Sequence, residues 1–162
     1  MKKLFICRHA KSSWSFDLDD VDRPLGNRGR RDVLRVGQYL RDYQIKKPDL
    51  ILTSPASRAF YTALFLADHW EYKEDKIMLE QRLYHGTSDT ITQLLSEQAD
   101  HESIAIFGHN PGFSELTYHL SGGKTDEMPT GSIVGLEFPV SNWSSIGHTN
   151  GKIFFSIYPK KL

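Results

Sequence analysis

The sequence predicts an α/β fold built on a mixed sheet that closes with an antiparallel strand pair. Three observations predict it. Short apolar runs alternate with stretches of helical periodicity as far as residue 121, which is the signature of strands connected through helices. After Gly122-Gly123 the pattern changes to two segments rich in Ile, Val and Phe joined by a polar stretch. The chain is 162 residues long without repeats, low-complexity tracts or Gly/Ser linkers. It therefore reads as one domain, 1–162, large enough to bury about 68–70% of its unfolded surface.

Each element has its own warrant. Lys3 to Cys7 is a short apolar run of the kind that forms a buried strand. Residues 8–27 lack periodicity and read as a long functional loop. From about Arg28 onward, Val33, Val36, Gly37, Leu40 and Tyr43 fall on one helical stripe. Leu50 to Thr53 forms a second strand, followed by a helix from about Pro55 to Trp70. Lys76 to Glu80 makes a weaker strand. Ser88 then caps a helix that turns Ile91, Leu94 and Leu95 inward. Ser103 to Phe107 is the next buried strand, and Pro111 to about Ser121 the next helix. Ser132 to Phe138 and Lys152 to Tyr158 are the last two strands. Between them lie Trp143 and the turn signal Asn150-Gly151.

Composition removes several classes of function. Twenty basic residues balance twenty acidic ones, which argues against a nucleic-acid binder. The single cysteine, Cys7, excludes a disulfide framework and a Cys-rich zinc site. It lies in an apolar run and reads as a small buried hydrophobe. It also cannot serve a Cys-x5-Arg phosphatase, because the arginine position is Ser13. No apolar run approaches the roughly 20 residues that span a bilayer. The run Leu4 to Cys7 stops at Arg8, too short for a signal peptide. The expected location is therefore cytoplasmic, with no membrane partner, and the sequon Asn142-Trp143-Ser144 carries no functional reading. Neither G-x-x-x-x-G-K-[ST] nor G-x-G-x-x-G occurs, and no H-x-x-x-H pair suggests zinc.

Neutrality is uneven along the chain. Residues 1–62 carry a balance of +6 and residues 63–162 a balance of −6. Of nine arginines only Arg82 lies beyond Arg58. Solvated faces and an anion site near the start account for this equally well, and charge alone does not choose between them.

The strand ends do choose. Parallel strands place their C-terminal ends on one edge, where open α/β sheets bind ligands. The first strand runs into Arg8-His9-Ala10-Lys11-Ser12, the second into Ser54-Pro55 with Arg58 one turn further, and the third into Gly108-His109-Asn110-Pro111-Gly112. Ser54 with Pro55, and Asn110 with Pro111, read as N-cap and N1 pairs that aim two helix N-termini at the same place. Taken singly, each histidine could be a hydrogen-bonded loop residue and each arginine half of a surface ion pair. Two histidines and two arginines at three strand ends point instead to an anion-binding active site. Arginine bonds to phosphate contribute about 1.5–3 kcal/mol each. The remaining histidines, 69, 85, 101, 119 and 148, read as ordinary polar residues.

These residues carry a resemblance. Leu4-Phe5-Ile6-Cys7-Arg8-His9-Ala10 resembles the Arg-His-Gly signature of the histidine phosphatase (phosphoglycerate mutase-like) superfamily. Arg23-Pro24-Leu25 with Gly29 resembles its R-P-L-x-x-x-G segment, and residues 54–62 its S-P-x-x-R-A-x-x-T element. Gly108-His109-Asn110-Pro111 resembles its second-histidine motif. The four segments occur in the family's order between residues 4 and about 112, and jointly look most like SixA-type phosphohistidine phosphatases. The resemblance implies a three-layer sandwich with a mixed, mostly parallel central sheet flanked by helices.

It also implies roles. His9 would be the nucleophile, with Arg8, Arg58 and His109 gripping the phosphoryl oxygens. Lys11, Ser12, Arg23 and Asn110 would line the substrate pocket. No metal and no other cofactor is implied. The partner would be a protein carrying phosphohistidine. Alternatives are a small phosphorylated substrate or a phosphate-binding module without turnover. Oligomeric state is not encoded in these motifs.

Three positions depart from the family pattern. Ala10 replaces the signature Gly, Ser15 stands where the mutases have Asn, and no carboxylate near Leu83-Tyr84-His85-Gly86 occupies the general-acid position. Glu115 is the nearest acid after His109.

Overall fold

The computed structural model describes residues 1–162. Its sheet is assembled from β1 (Lys2–Arg8), β2 (Leu50–Thr53), β3 (Met78–Leu79), β4 (Ser103–Gly108), β5 (Ile133–Phe138) and β6 (Lys152–Ile157), in the order β3-β2-β4-β1-β5-β6. The first four in that order run parallel, and β5 and β6 close the sheet antiparallel. The expected mixed, mostly parallel sheet is present. The helices are α1 (Asn27–Asp42), α2 (Ser57–His69), α3 (Ser88–Ser96) and α4 (Gly112–Leu120).

Alternation along the strands splits their side chains between two apolar layers. Leu4, Ile6, Leu50, Leu52, Ile104 and Ile106 pack on one face beneath α3 and α4, together with Trp143 and Ile146. Phe5, Cys7, Ile51, Ala105 and Phe107 pack on the other beneath α1 and α2. Strands buried on both faces are continuous apolar runs, as parallel sheets under helices require. Cys7 is fully buried, and burial pushes its thiol pKa up.

Three local expectations need correction, and the polar stretch before β6 gains structure. Tyr43, assigned to the buried stripe of α1, sits at the helix C-terminus and is 65% exposed. The cap of α3 is Thr87, whose hydroxyl accepts from the Thr90 N–H at 3.1 Å; Ser88 is already helical. The weak strand shrinks to the two residues of β3, preceded by a 3-10 turn at Glu74–Lys76. Within the polar stretch between β5 and β6, a 3-10 segment (Trp143–His148) buries the Trp143 ring, and the indole N–H donates to the His101 carbonyl at 2.8 Å. No helix is long and apolar enough to cross a membrane.

Candidate active site

Strand register brings the two histidines together. β1 pairs with β4 so that Arg8 lies opposite Gly108, and each strand's next residue is a histidine. The His9 N–H donates to the Gly108 carbonyl at 3.0 Å. The rings of His9 and His109 stand 5.1 Å apart between centroids, and both residues are buried. β2 ends beside them, and Arg58 enters from the first turn of α2 with only 2% exposure.

The spacing of residues 54–62 has a mechanical reason. The Thr62 hydroxyl accepts from the Ala10 N–H at 3.0 Å and donates to the Arg58 carbonyl at 2.7 Å, tying the end of β1 to α2. Gly29 has a similar function in packing. A Cβ there would lie 2.1 Å from the Lys11 carbonyl oxygen, so only glycine lets α1 press against the loop after His9.

His9 has a defined tautomer. Its Nδ1 lies 2.7 Å from the Ala10 carbonyl. A carbonyl can only accept, so Nδ1 carries the proton and Nε2 keeps its lone pair. Burial lowers the His9 pKa to about 4, with Arg58, Arg8 and Arg23 adding to that effect against the Ala10 hydrogen bond. His109 is lowered to about 2, by burial first and then by His9 and Arg58. Its Nε2 lies 2.8 Å from the Ser54 hydroxyl. Both rings are therefore neutral near pH 7.

Polar groups without partners gather in the same place. Four buried side-chain polar atoms lack any hydrogen bond, and three of them are Arg8 Nε, Arg58 Nε and His109 Nδ1. Such atoms are rare in folded proteins and costly to bury. Arg8 is otherwise anchored through Nη1 to the Met128 carbonyl at 2.7 Å. The result is a concentration of positive charge and underused donors around an uncharged imidazole.

A pocket of about 230 Å³ opens over these groups. Lys11, Ser12, Arg23 and Asn110 all line it, but two of them are engaged elsewhere. Arg23 Nη1 donates to the Ser12 hydroxyl at 2.8 Å, and the guanidinium stacks on the exposed Trp14 ring at 3.5 Å. Both ends of the Asn110 amide are used within the fold: Nδ2 donates to the Met128 carbonyl, and Oδ1 accepts from the Ser114 N–H and hydroxyl. Asn110 thus ties the start of α4 to the 128 loop.

The expected N-cap and N1 pairs are displaced. α2 and α4 begin at Ser57 and Gly112, two residues and one residue after Pro55 and Pro111 respectively. Ser54 still accepts from the Ala56 N–H, and Asn110 from that of Ser114, so these N–H groups are satisfied by side chains of the same loops.

Four pocket residues were not among the expected site residues, and one of them is Trp14, the ring under Arg23. Thr130 reaches the pocket from the loop before β5, and His85 from the segment before α3. Asp20 sits in a 3-10 turn (Asp20–Asp22) of the long loop. Its Oδ2 accepts from Arg58 Nη2 at 2.9 Å, Tyr84 Oη at 2.6 Å and His85 Nε2 at 3.3 Å, and its Oδ1 from Arg23 Nε at 3.2 Å. The Tyr84 hydroxyl, followed by Arg58 and His85, holds its carboxyl well below the usual carboxylate range. Asp20 is the pocket's only acid. Glu115 is exposed on α4 and does not line it. No group of three or more His, Cys, Asp or Glu side chains is arranged to hold a metal ion.

Known proteins resemble this chain in sequence and in fold. The family profile of the histidine phosphatase superfamily (branch 1) matches residues 4–84. The uncharacterized protein Rv1276c of Mycobacterium tuberculosis is 27% identical over 135 residues, covering 83% of this chain and 82% of its own. Among solved structures, the protein histidine phosphatase SixA complexed with tungstate superposes with a TM-score of 0.82 at 21% identity, covering 98% of each chain. A mycobacterial glucosyl-3-phosphoglycerate phosphatase, Rv2419c, superposes with a TM-score of 0.66 at 16% identity, covering 94% of this chain and 97% of its own.

Proposed function

Since the chain belongs to the histidine phosphatase superfamily (branch 1), we propose that it hydrolyses phosphohistidine on a protein through a phosphorylated His9. The carrying observation is a neutral His9, its Nε2 free, set among Arg8, Arg58 and His109 with their unpartnered donors. In the first step His9 Nε2 attacks phosphorus. The N–P bond of the substrate breaks and, with the substrate ring protonated on its other nitrogen, its electron pair leaves on a neutral imidazole. Arg8 and Arg58 neutralise the charge spread over the equatorial oxygens. In the second step water attacks the phosphoryl group, releases phosphate and returns the electron pair to His9. The tungstate carried by the similar SixA structure is a tetrahedral oxyanion of the kind this pocket would grip.

The choice of phosphohistidine rests on proton supply. An alkoxide leaving group is strongly basic and calls for a proton donor, whereas imidazole has a pKa near 6.5 and needs far less help. The only carboxyl group facing the pocket, Asp20, is ionised and has no proton to give. A small-molecule phosphomonoesterase is the second reading. It is favoured by the half-exposed His85, an imidazole that lines the pocket outside the His9–His109 pair.

The test compares a phosphohistidine protein with simple alkyl phosphates. The expected result is a kcat/KM at least 100-fold higher on phosphohistidine, and comparable values on both would overturn the reading. Label from a 32P-phosphohistidine protein should be trapped on wild-type enzyme and not on His9→Ala. Equal release of label by both would show that His9 is not the nucleophile.

A further inference from the structure

The donors around Asp20 form a second anion site beside the first. Three of them converge on one carboxylate oxygen, and Arg58 uses its other terminal nitrogen on the Asp20 main-chain carbonyl at 2.7 Å. They come from separate parts of the chain: Arg23 from the loop, Arg58 from α2, Tyr84 and His85 from the segment before α3. The guanidiniums are nearly buried, with 9% and 3% of their side chains exposed, whereas the Asp20 side chain is 43% exposed toward the pocket mouth. The donors are thus buried, and the carboxylate that occupies them is the part that faces solvent.

We propose that Asp20 is a specificity-determining residue whose carboxylate fills this anion subsite and so excludes phosphate substrates bearing a second negative group close to phosphorus. A substrate carboxylate entering there meets like charge and finds its donors already taken. A phosphoryl group on an uncharged or cationic carrier, such as an imidazole side chain, meets neither obstacle. The inference rests on the reading of the pocket as a phosphoryl site and names the class of substrate that site rejects.

Removing the carboxylate converts exclusion into recognition. Isothermal titration calorimetry with methylphosphonate, phosphonoacetate and 3-phosphonopropionate reads this without turnover. Wild-type protein should bind the two dianionic-headed carboxylates no more tightly than methylphosphonate. In Asp20→Ala and Asp20→Asn, at least one of the two should gain tenfold or more relative to methylphosphonate. Asp20→Glu should keep the wild-type ratio, and Arg23→Ala placed in the Asp20→Ala background should erase the gain. Circular dichroism verifies that each variant is folded, and the Asn variant preserves shape should the Ala variant unfold. A ratio unchanged in both neutral variants, or a gain that survives loss of Arg23, overturns the proposal. Failure of every protein to bind methylphosphonate overturns the phosphoryl reading as well, so the two failures are distinguishable.

Discussion

The two edges of the sheet each carry a cavity, and the larger one has the weaker chemistry. At the N-terminal ends of β1 and β4 lies a groove of about 590 Å³ with Lys3, Lys46, Lys47, Asp49 and Glu102 around it. Those five charges are all exposed and of both signs, so water and salt screen their mutual interactions. At the C-terminal ends lies the pocket of about 230 Å³, where Arg58, Arg23, His9 and His109 are buried. There, desolvation and mutual repulsion set the protonation of both histidines. Burial of convergent charge distinguishes the edges, and cavity size does not.

The largest contrast between them should come from His9→Ala. It should lower kcat/KM on a phosphohistidine protein by about 10⁴-fold or more, while Lys47→Ala on the opposite edge leaves it within about twofold. A comparable loss in the two variants would erase the distinction. Arg58→Ala should cost about 10²–10³-fold, as for loss of one charge-stabilising donor, read chiefly in kcat under steady-state conditions. Thr62→Val should destabilise the fold by about 1–3 kcal/mol, because it leaves the buried Ala10 N–H and Arg58 carbonyl short of a partner. Urea unfolding midpoints measure it.

The smallest effect is in pH dependence, and it separates the edges most cleanly. An unfolded histidine binds its proton near pH 6.5, whereas folded His9 does so at about 4 and His109 at about 2. The unfolded chain therefore holds more protons below pH 6.5. The stability contributed by keeping these rings neutral is present above that pH and is lost as pH falls toward 4 and below. Thermal melts from pH 7.5 to 4.5 should show a declining Tm. His109→Asn should flatten the decline and Glu102→Gln should not. A slope unchanged by His109→Asn would contradict the burial argument.

Much of this was legible in the residues. Arg8, His9 and His109 sit directly at strand ends, and Arg58 one helical turn beyond one. Strand ends in a parallel sheet share an edge, so a one-dimensional pattern locates a three-dimensional cluster. Asp20 was not legible. It is one of four aspartates between residues 17 and 22, and nothing in spacing or periodicity sets it apart from its neighbours. Its position depends on a loop that folds back onto α2, which periodicity does not encode. Trp143 shows the same limit for the core, since it packs into the layer under α3 and α4 and its indole N–H is satisfied by the carbonyl of His101, far away in the chain.

The pairing of β1 with β4 has a consequence for when the protein becomes competent. His9 and His109 are neighbours in the central ladder yet lie 100 positions apart in the chain. Contacts of such long range form slowly, because closing so long a loop costs chain entropy before the contacts offset it. A nascent or partly folded chain thus carries His9 without the second imidazole beside it. The proposed activity should therefore appear on refolding together with closure of the central ladder, so that turnover would report a completed sheet.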